Sequence, residues 1–289
     1  MTRGELISEL AASLGARHEA RFIVEEVLGS PPPGDDWVPG PADVEIARAL
    51  AARRCAGEPL QYVLGHWAFR SLDLLVDERV LIPRPETEQV VEVALGEIGQ
   101  FATSFRTLVD AGTGSGAIAL SLAAELAPRH PEACLWGTDA SLEALAVARA
   151  NLDRVRRQRD DPVLPVHFVQ GNWLDPLPAR LRGVVDVVVS NPPYVAGAEW
   201  PDLPGEVRRE PVAALVAGDG TDGTPGLADV EALLSQAWVW LARPGAVVIE
   251  LAPHQADAAV LLARGMGYVD VRVEMDLARR PRALVGRTR

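Results

Sequence analysis

The 289-residue chain contains no lysine; all 28 of its basic residues are arginine. No Schiff-base lysine and no Walker-type phosphate lysine can therefore operate here. Cysteine is almost as scarce. Cys55 and Cys134 are far apart and neither sits in a CxxC context. That excludes a zinc cluster, argues against a disulfide framework and fits a reducing compartment. No run of about 18 apolar residues occurs, and Met1-Thr2-Arg3-Gly4-Glu5 has no apolar leader core. The expectation is a soluble cytoplasmic protein without a membrane partner. Positive charge is short as well: 28 basic against 40 acidic residues leave a net charge of −12. A bulk basic face for gripping nucleic-acid phosphates is excluded, although a local arginine patch is not. The five histidines are scattered without ligand spacing, so no metal site is expected. What is abundant is apolar side chain, 48% of the chain, enough for one large α/β domain with a smaller companion.

The first sixty-odd residues read as short helices. Leu6, Leu10 and Leu14, with Ile7 and Ala11 beside them, recur at helical spacing. Phe22, Ile23, Glu26 and Val27 carry a second segment, which Gly29-Ser30-Pro31-Pro32-Pro33-Gly34 ends. A third helix is predicted over 42–54, with Val44, Ala47, Leu50 and Ala51 on one side. From 61 to 82 the pattern approaches alternation through Tyr62, Leu64, Trp67, Phe69, Leu72, Leu74 and Val76, predicting strands or a hairpin. Beyond Thr107, strand-like runs alternate with helical ones: Leu108-Val109, Cys134-Leu135-Trp136, Val166 to Val169, Val184 to Val189, Val247 to Ile249, Val269 to Val273 and Ala283 to Val285. That alternation predicts a parallel sheet covered by helices on both faces. Three parts are expected: a helical N-terminal domain over 1–64, a β-hairpin linker over 65–84, and a main α/β domain over 85–289.

Two segments carry chemistry. Asp110-Ala111-Gly112-Thr113-Gly114-Ser115-Gly116 is a strand end opening into a helix. Glycines there let a ligand approach the backbone, and ligands of open α/β sheets sit beyond the carboxyl ends of strands. The spacing is GxGxG rather than the GxGxxG of dinucleotide sites, and an acid precedes it. Asp110 would repel a pyrophosphate but suits an ammonium group. Asp139, ending the next strand, can accept from a ribose diol. S-adenosyl-L-methionine offers a cationic amino-acid end and a ribose with no phosphate, and is the expected cofactor. A tight, helix-capping turn is the plainer alternative. The second segment is Ser190-Asn191-Pro192-Pro193-Tyr194. Proline has no N–H, so carbonyls here meet few competing donors, and the Asn191 side chain adds another acceptor. Together they suit a planar –NH2 group, with Tyr194 available against its face. Held this way, an amide nitrogen can be aimed at an incoming methyl without an obligatory general base. A rigid proline turn is the plainer alternative for this segment.

In this order the two motifs resemble amino-group methyltransferases of the seven-stranded class. Leu81-Ile82-Pro83-Arg84-Pro85-Glu86-Thr87-Glu88 narrows the resemblance to the HemK-like release factor glutamine methyltransferase family. Glu58-Pro59-Leu60-Gln61-Tyr62-Val63-Leu64-Gly65, Glu210-Pro211-Val212-Ala213-Ala214-Leu215 and Arg282-Ala283-Leu284-Val285-Gly286-Arg287 extend it from Glu58 to the end. The resemblance implies a Rossmann-like seven-stranded class I methyltransferase domain with a final antiparallel strand, behind a small helical domain and a hairpin linker. It places the cofactor loop on Asp110 and Gly112 to Gly116, the ribose acid on Asp139, adenine-side contacts on Asn172 and Trp173, and the glutamine-amide site on Asn191, Pro192, Pro193 and Tyr194. The implied substrate is the glutamine of the Gly-Gly-Gln motif in class-one peptide chain release factors, with no nucleic acid required and the protein acting as a monomer. Three positions depart from the family pattern: Asn172 stands where an acid is common, and Ser71 and Ala252 where glycines are. The rival readings are a DNA or RNA amino-methyltransferase with the same two motifs, and a non-catalytic binder of the same cofactor.

Overall fold

The computed structural model describes residues 1–29, 34–100 and 106–289. The chain divides into two compact units, one of residues 1–66 and 204–209, the other of 67–203 and 210–289.

The smaller unit is built on helices α1 (Arg3–Leu14), α2 (Arg17–Leu28), α3 (Pro41–Cys55) and the single turn α4 (Leu60–Leu64). Thr2 caps α1 through the Glu5 amide while the Glu5 carboxylate returns to the Thr2 N–H, a reciprocal box at the helix start. Leu6, Ile7, Leu10, Ala20, Ile23, Val24, Ala47 and Ala51 close the core, as helical spacing requires. Phe22 instead points outward, because the buried stripe of α2 runs through Ala20, Ile23 and Val24. The proline stop at Pro31, Pro32 and Pro33 lies outside the described residues. Tyr62 and Leu64 sit on α4 rather than on a strand; Pro59 opens that turn and Gly65 closes it in the left-handed region.

In the larger unit the expected hairpin is present as β1 (His66–Phe69) and β2 (Leu72–Leu75), followed by α5 (Pro85–Ile98). The alternating region contains β3 (Thr107–Ala111), α6 (Ala117–Leu126), β4 (Cys134–Asp139), α7 (Leu142–Gln158), β5 (Val166–Gln170) and β6 (Val185–Ser190). A short pair, β7 (Val195–Ala196) and β8 (Val216–Ala217), precedes α8 (Ala228–Trp240), β9 (Leu241–Glu250), α9 (Ala256–Gly265), β10 (Val269–Met275) and β11 (Pro281–Thr288). Seven strands form one sheet in the order β10-β11-β9-β6-β3-β4-β5. The sheet is mixed, not parallel throughout: β11 runs antiparallel to both β9 and β10. Its hairpin connection from β10 is too short for a helical crossover, so the reversal is obligatory.

Pleating sends neighbouring strand residues to opposite faces. Leu108, Val187 and Val248 join α5, α6 and α7 in one core, and Val109, Val188 and Val247 join α8 and α9 in the other. From β3 the chain winds outward through β4 to β5 and then crosses back to β6 on the other side of β3. The crevice beyond the ends of β3 and β6 is thus the topological switch point, where open α/β sheets hold ligands. Among the described residues no helix is long and apolar enough to cross a membrane.

Asn151 of α7 is fully buried and spans the first layer. Its Oδ1 accepts from Leu75 N at 2.6 Å, and its Nδ2 donates to Leu75 O and Ser115 O at 3.0 and 2.9 Å. Asn151→Ala strands one buried donor and two carbonyls and should lower stability by about 2–3 kcal/mol, read as an earlier urea midpoint with an unchanged slope.

Candidate active site

β3 ends in a buried acid and a tight glycine turn. Gly112, Gly114 and Gly116 all have positive φ, which only glycine adopts without strain. The Gly112 and Thr113 amides both donate to Thr138 O, at 2.9 and 2.8 Å, so the turn is pinned to the end of β4. Ser115 is buried within the turn. A side chain at Gly112 would meet the Trp173 ring, with a Cβ 3.1 Å from Cζ3. Trp173 itself holds φ 49°, a left-handed conformation costing a tryptophan about 1–2 kcal/mol. That strained backbone carries the indole against the glycine loop.

The three acids of the crevice differ in their surroundings. Asp110 is wholly buried; its Oδ2 accepts from Thr113 Oγ1 at 2.6 Å and from Ala119 N at 3.0 Å, while Oδ1 has no hydrogen-bond partner. Burial pushes its pKa up to about 7. Asp139 is half-buried and spreads its carboxylate between Gly114 N at 2.9 Å and Ser141 N at 2.8 Å. Burial raises its pKa too, against the pull of those two amides. Glu250, at the end of β9, is completely buried with neither oxygen in a well-formed hydrogen bond. The sequence reading missed it, because a glutamate ending an apolar strand looks like the strand's solvated tip.

Asn191 follows directly on β6, whose Ser190 lies opposite Ala111 of β3. The Ser190 hydroxyl donates to Ala111 O at 2.6 Å across that pair. The Asn191 Nδ2 donates to Thr87 Oγ1 of α5 at 3.1 Å, which leaves the side-chain carbonyl facing away. Among the described residues nothing donates to the Pro192 carbonyl. Pro192 is buried and Pro193 half-buried. Tyr194 has its phenol pKa pushed up to about 12 by burial, so it stays neutral. Its backbone is gripped from behind: Gln255 Nε2 donates to Tyr194 O at 3.2 Å, and any Cβ at Gly226 would lie 2.3 Å from that oxygen. Gln255 and Gly226 also escaped sequence reading, since neither belongs to a motif.

The remaining candidates are less central. Asn172 is exposed in the turn before Trp173, with only its backbone carbonyl engaged, by Asp175 N. Glu210 is buried, accepts from Ile82 N at 3.0 Å and pairs with Arg84, tying the segment after β6 to the start of α5. Glu88 accepts from Arg70 N, and Glu86 meets Arg280 at 3.2 Å. Arg154 of α7 is bound to Asp73 of β2.

Asp110 carries a pH signature. Its folded pKa of about 7 stands above its ordinary 3.8, so the folded state binds this proton more tightly than the unfolded state. The stability it contributes is complete below about pH 4 and is lost as the pH rises through 7. Urea midpoints should therefore decline between pH 5 and 7, and Asp110→Asn should lessen that decline, the remainder coming from the other raised carboxyls; an identical slope in the variant would refute it.

Comparison with known proteins adds findings of three kinds. The chain matches the Methyltransferase small domain over residues 98–208 and the PrmC N-terminal domain over residues 4–65. It is 39% identical over 281 residues to the release factor glutamine methyltransferase of Bordetella pertussis, spanning 94% of this chain and 96% of that one. A second relative of the same name, from Burkholderia pseudomallei, is 40% identical over 83% of this chain and 79% of its own length. A crystal structure of a methyltransferase from Pyrococcus furiosus superposes with a TM-score of 0.50 at 18% identity, over 84% of this chain and 97% of that one, a likeness of fold.

Proposed function

The chain belongs to the release factor glutamine methyltransferase family, and from that premise we propose that it methylates the side-chain amide nitrogen of the glutamine in the Gly-Gly-Gln motif of class-one peptide chain release factors. One observation carries the assignment of the acceptor site: the Asn191 amide is turned so that its Nδ2 donates to Thr87 Oγ1 while its carbonyl accepts from no described residue. A free acceptor beside an unengaged Pro192 carbonyl matches the two N–H bonds of a primary amide.

S-adenosyl-L-methionine fits the neighbouring crevice. The glycine turn keeps the backbone of Gly112 to Gly116 open to close approach, and no lysine exists to favour a phosphate. Asp139 is half-exposed with lone pairs left over from its two amide bonds, suited to a ribose diol. Trp173 offers a face for the adenine, and Asn172 lies beside it. Asp110 lies beneath the turn that would receive the ammonium end. When bound, the cofactor supplies an electrophilic methyl group on a sulfonium.

The protein's own residues then supply geometry and electrostatics. Asn191 Oδ1 and the Pro192 carbonyl each accept one N–H of the glutamine amide. That fixes the plane of the amide, turns the nitrogen's face to the methyl, and places partial negative charge where positive charge develops. As the N–CH3 bond replaces the S–CH3 bond and leaves a thioether, the nitrogen sheds one N–H proton to water. Pro193 keeps the turn rigid, and Tyr194, neutral throughout, packs against the amide. The helices of the smaller unit, which carry no chemical motif, are assigned to docking of the release factor. The protein acts as a monomer and without nucleic acid.

Labelled cofactor incubated with either a release factor or nucleic acid should transfer label to the release factor alone, and not to one whose Gly-Gly-Gln glutamine is glutamate. Uptake by nucleic acid instead would sink the assignment. Asn191→Ala should cut single-turnover methylation by at least about a hundredfold while cofactor affinity stays near normal; near-normal methylation removes Asn191 from the mechanism. Asp139→Ala should do the reverse. Losing a charged hydrogen-bonding group should weaken cofactor binding by about ten- to a hundredfold, measured calorimetrically.

A further inference from the structure

Behind the acceptor site lies a carboxyl group for which the mechanism has so far no use. Glu250 closes β9 beside β6 and β11, and no part of it reaches solvent. Its charged and titratable neighbours are Arg282 of β11, whose Nη1 is 3.6 Å from Oε1, Arg84 and Glu86 at the start of α5, and Tyr194 after β6. Arg282 is shared, with Nη2 3.6 Å from Asp276. The β9–β6 register, with Ile249 opposite Ser190, sets Glu250 beside Asn191. Thr87 is near enough to the Glu250 carboxyl to lower its pKa although no formed hydrogen bond joins them, and the Thr87 hydroxyl oxygen accepts from Asn191 Nδ2 at 3.1 Å. A side chain so deeply buried, short of hydrogen bonds and one residue away from the substrate-binding asparagine is costly to keep without a task.

We propose that Glu250 is a positioning residue for methyl transfer: acting through Thr87, it decides which way the Asn191 amide faces and so aims the Asn191 carbonyl oxygen at the substrate nitrogen. The inference rests on the amide-methylating role of Asn191 given above. An asparagine amide has near-equal shape in its two orientations but opposite polarity. Reversed, it would present N–H to the substrate's own N–H, and the acceptor pair would be lost. An ionised Glu250 can only accept, so the Thr87 proton goes to it and Thr87 shows Asn191 a lone pair. A protonated Glu250 can donate to Thr87 instead. That competes with Asn191 Nδ2 for the hydroxyl oxygen and frees the Thr87 proton for a reversed amide. Deprotonation therefore fixes the productive orientation.

Burial holds the Glu250 pKa up at about 7, with Glu86 raising it further and Thr87, Arg282 and Arg84 lowering it. The switch thus lies near neutral pH. Asp110 has a pKa of about 7 as well, but it lies under the cofactor loop. Saturating cofactor removes the effect of its titration on cofactor binding, and the Glu250→Gln profile separates what remains from the Glu250 titration.

The test is the single-turnover rate of release-factor methylation at saturating cofactor between pH 6 and 8.5. The wild-type arm tests the premise separately, since an enzyme that never labels the release factor defeats the proposed function rather than this inference. The wild-type rate should rise with pH through an inflection near 7. Glu250→Gln, near in shape but able to donate at every pH, should be flat at about the low-pH level, roughly tenfold below the upper plateau. Thr87→Val should be flat and similarly slow, Thr87→Ser should recover most of the rate, and all variants should bind cofactor normally. Combining Glu250→Gln with Thr87→Val should be no slower than the worse single change, because both act along one path. A wild-type-like rate for Glu250→Gln at pH 8, a retained inflection in that variant, a loss confined to cofactor affinity, or losses that multiply in the double variant would each overturn the proposal.

Discussion

The parallel pairing of β3 with β6 is the contact on which the rest of the site depends. Ala111 and Ser190 are 79 positions apart, yet they lie opposite one another and are joined by the Ser190 hydroxyl. Strands so paired are about 4.8 Å apart, which sets the glycine turn leaving β3 next to the proline turn leaving β6. The chain reverses its winding between these two strands, so no loop crosses above them and the crevice stays open. A one-residue slip of β6 in this register would turn Ser190 to the wrong face, take its hydroxyl away from Ala111 O and displace the proline turn from the glycine turn.

Around that pair, burial sorts the carboxylates into distinct tasks. Asp139, half-buried and holding two amides, shapes the loop that it also helps to line. Asp110 and Glu250 are sealed beneath the two turns, and both have pKa values lifted to about 7. Their desolvation makes each sensitive both to the direction of neighbouring protons and to nearby charge. Away from the crevice, carboxylates serve a different end. Glu97 of α5 is buried under Arg272 of β10 and Arg287 of β11, and there the arginines keep its pKa below the usual range despite burial. With no lysine in the chain, such contacts use guanidinium groups, whose planar fork can hold two oxygens at once.

The proline turn owes its shape to residues outside it. Gln255 and Gly226 hold the Tyr194 carbonyl, Thr87 holds the Asn191 amide, and Glu210 ties Ile82 and Arg84 to the segment that follows β8's partner strand. Each comes from a different stretch of the chain. The proposed acceptor site is accordingly assembled by the fold of the whole larger unit rather than by its own four residues.

Much of this was legible beforehand. Local periodicity sufficed for the helices of the smaller unit and for most strands of the larger, because each buries one stripe or one run. The two motifs could be read as well, since glycine spacing and consecutive prolines constrain the backbone locally whatever surrounds them. Tyr62 and Leu64 were misread because alternation over a few residues is indistinguishable from a single helical turn. The reversed final strand was not visible in periodicity, since an apolar run looks the same in either direction; only the resemblance implied it. Thr87, Gln255, Gly226 and Glu250 acquire meaning only in three dimensions. Burial and proton direction depend on neighbours distant in sequence, and a glutamate at the end of a strand is a solvated cap or a buried switch according to what packs over it.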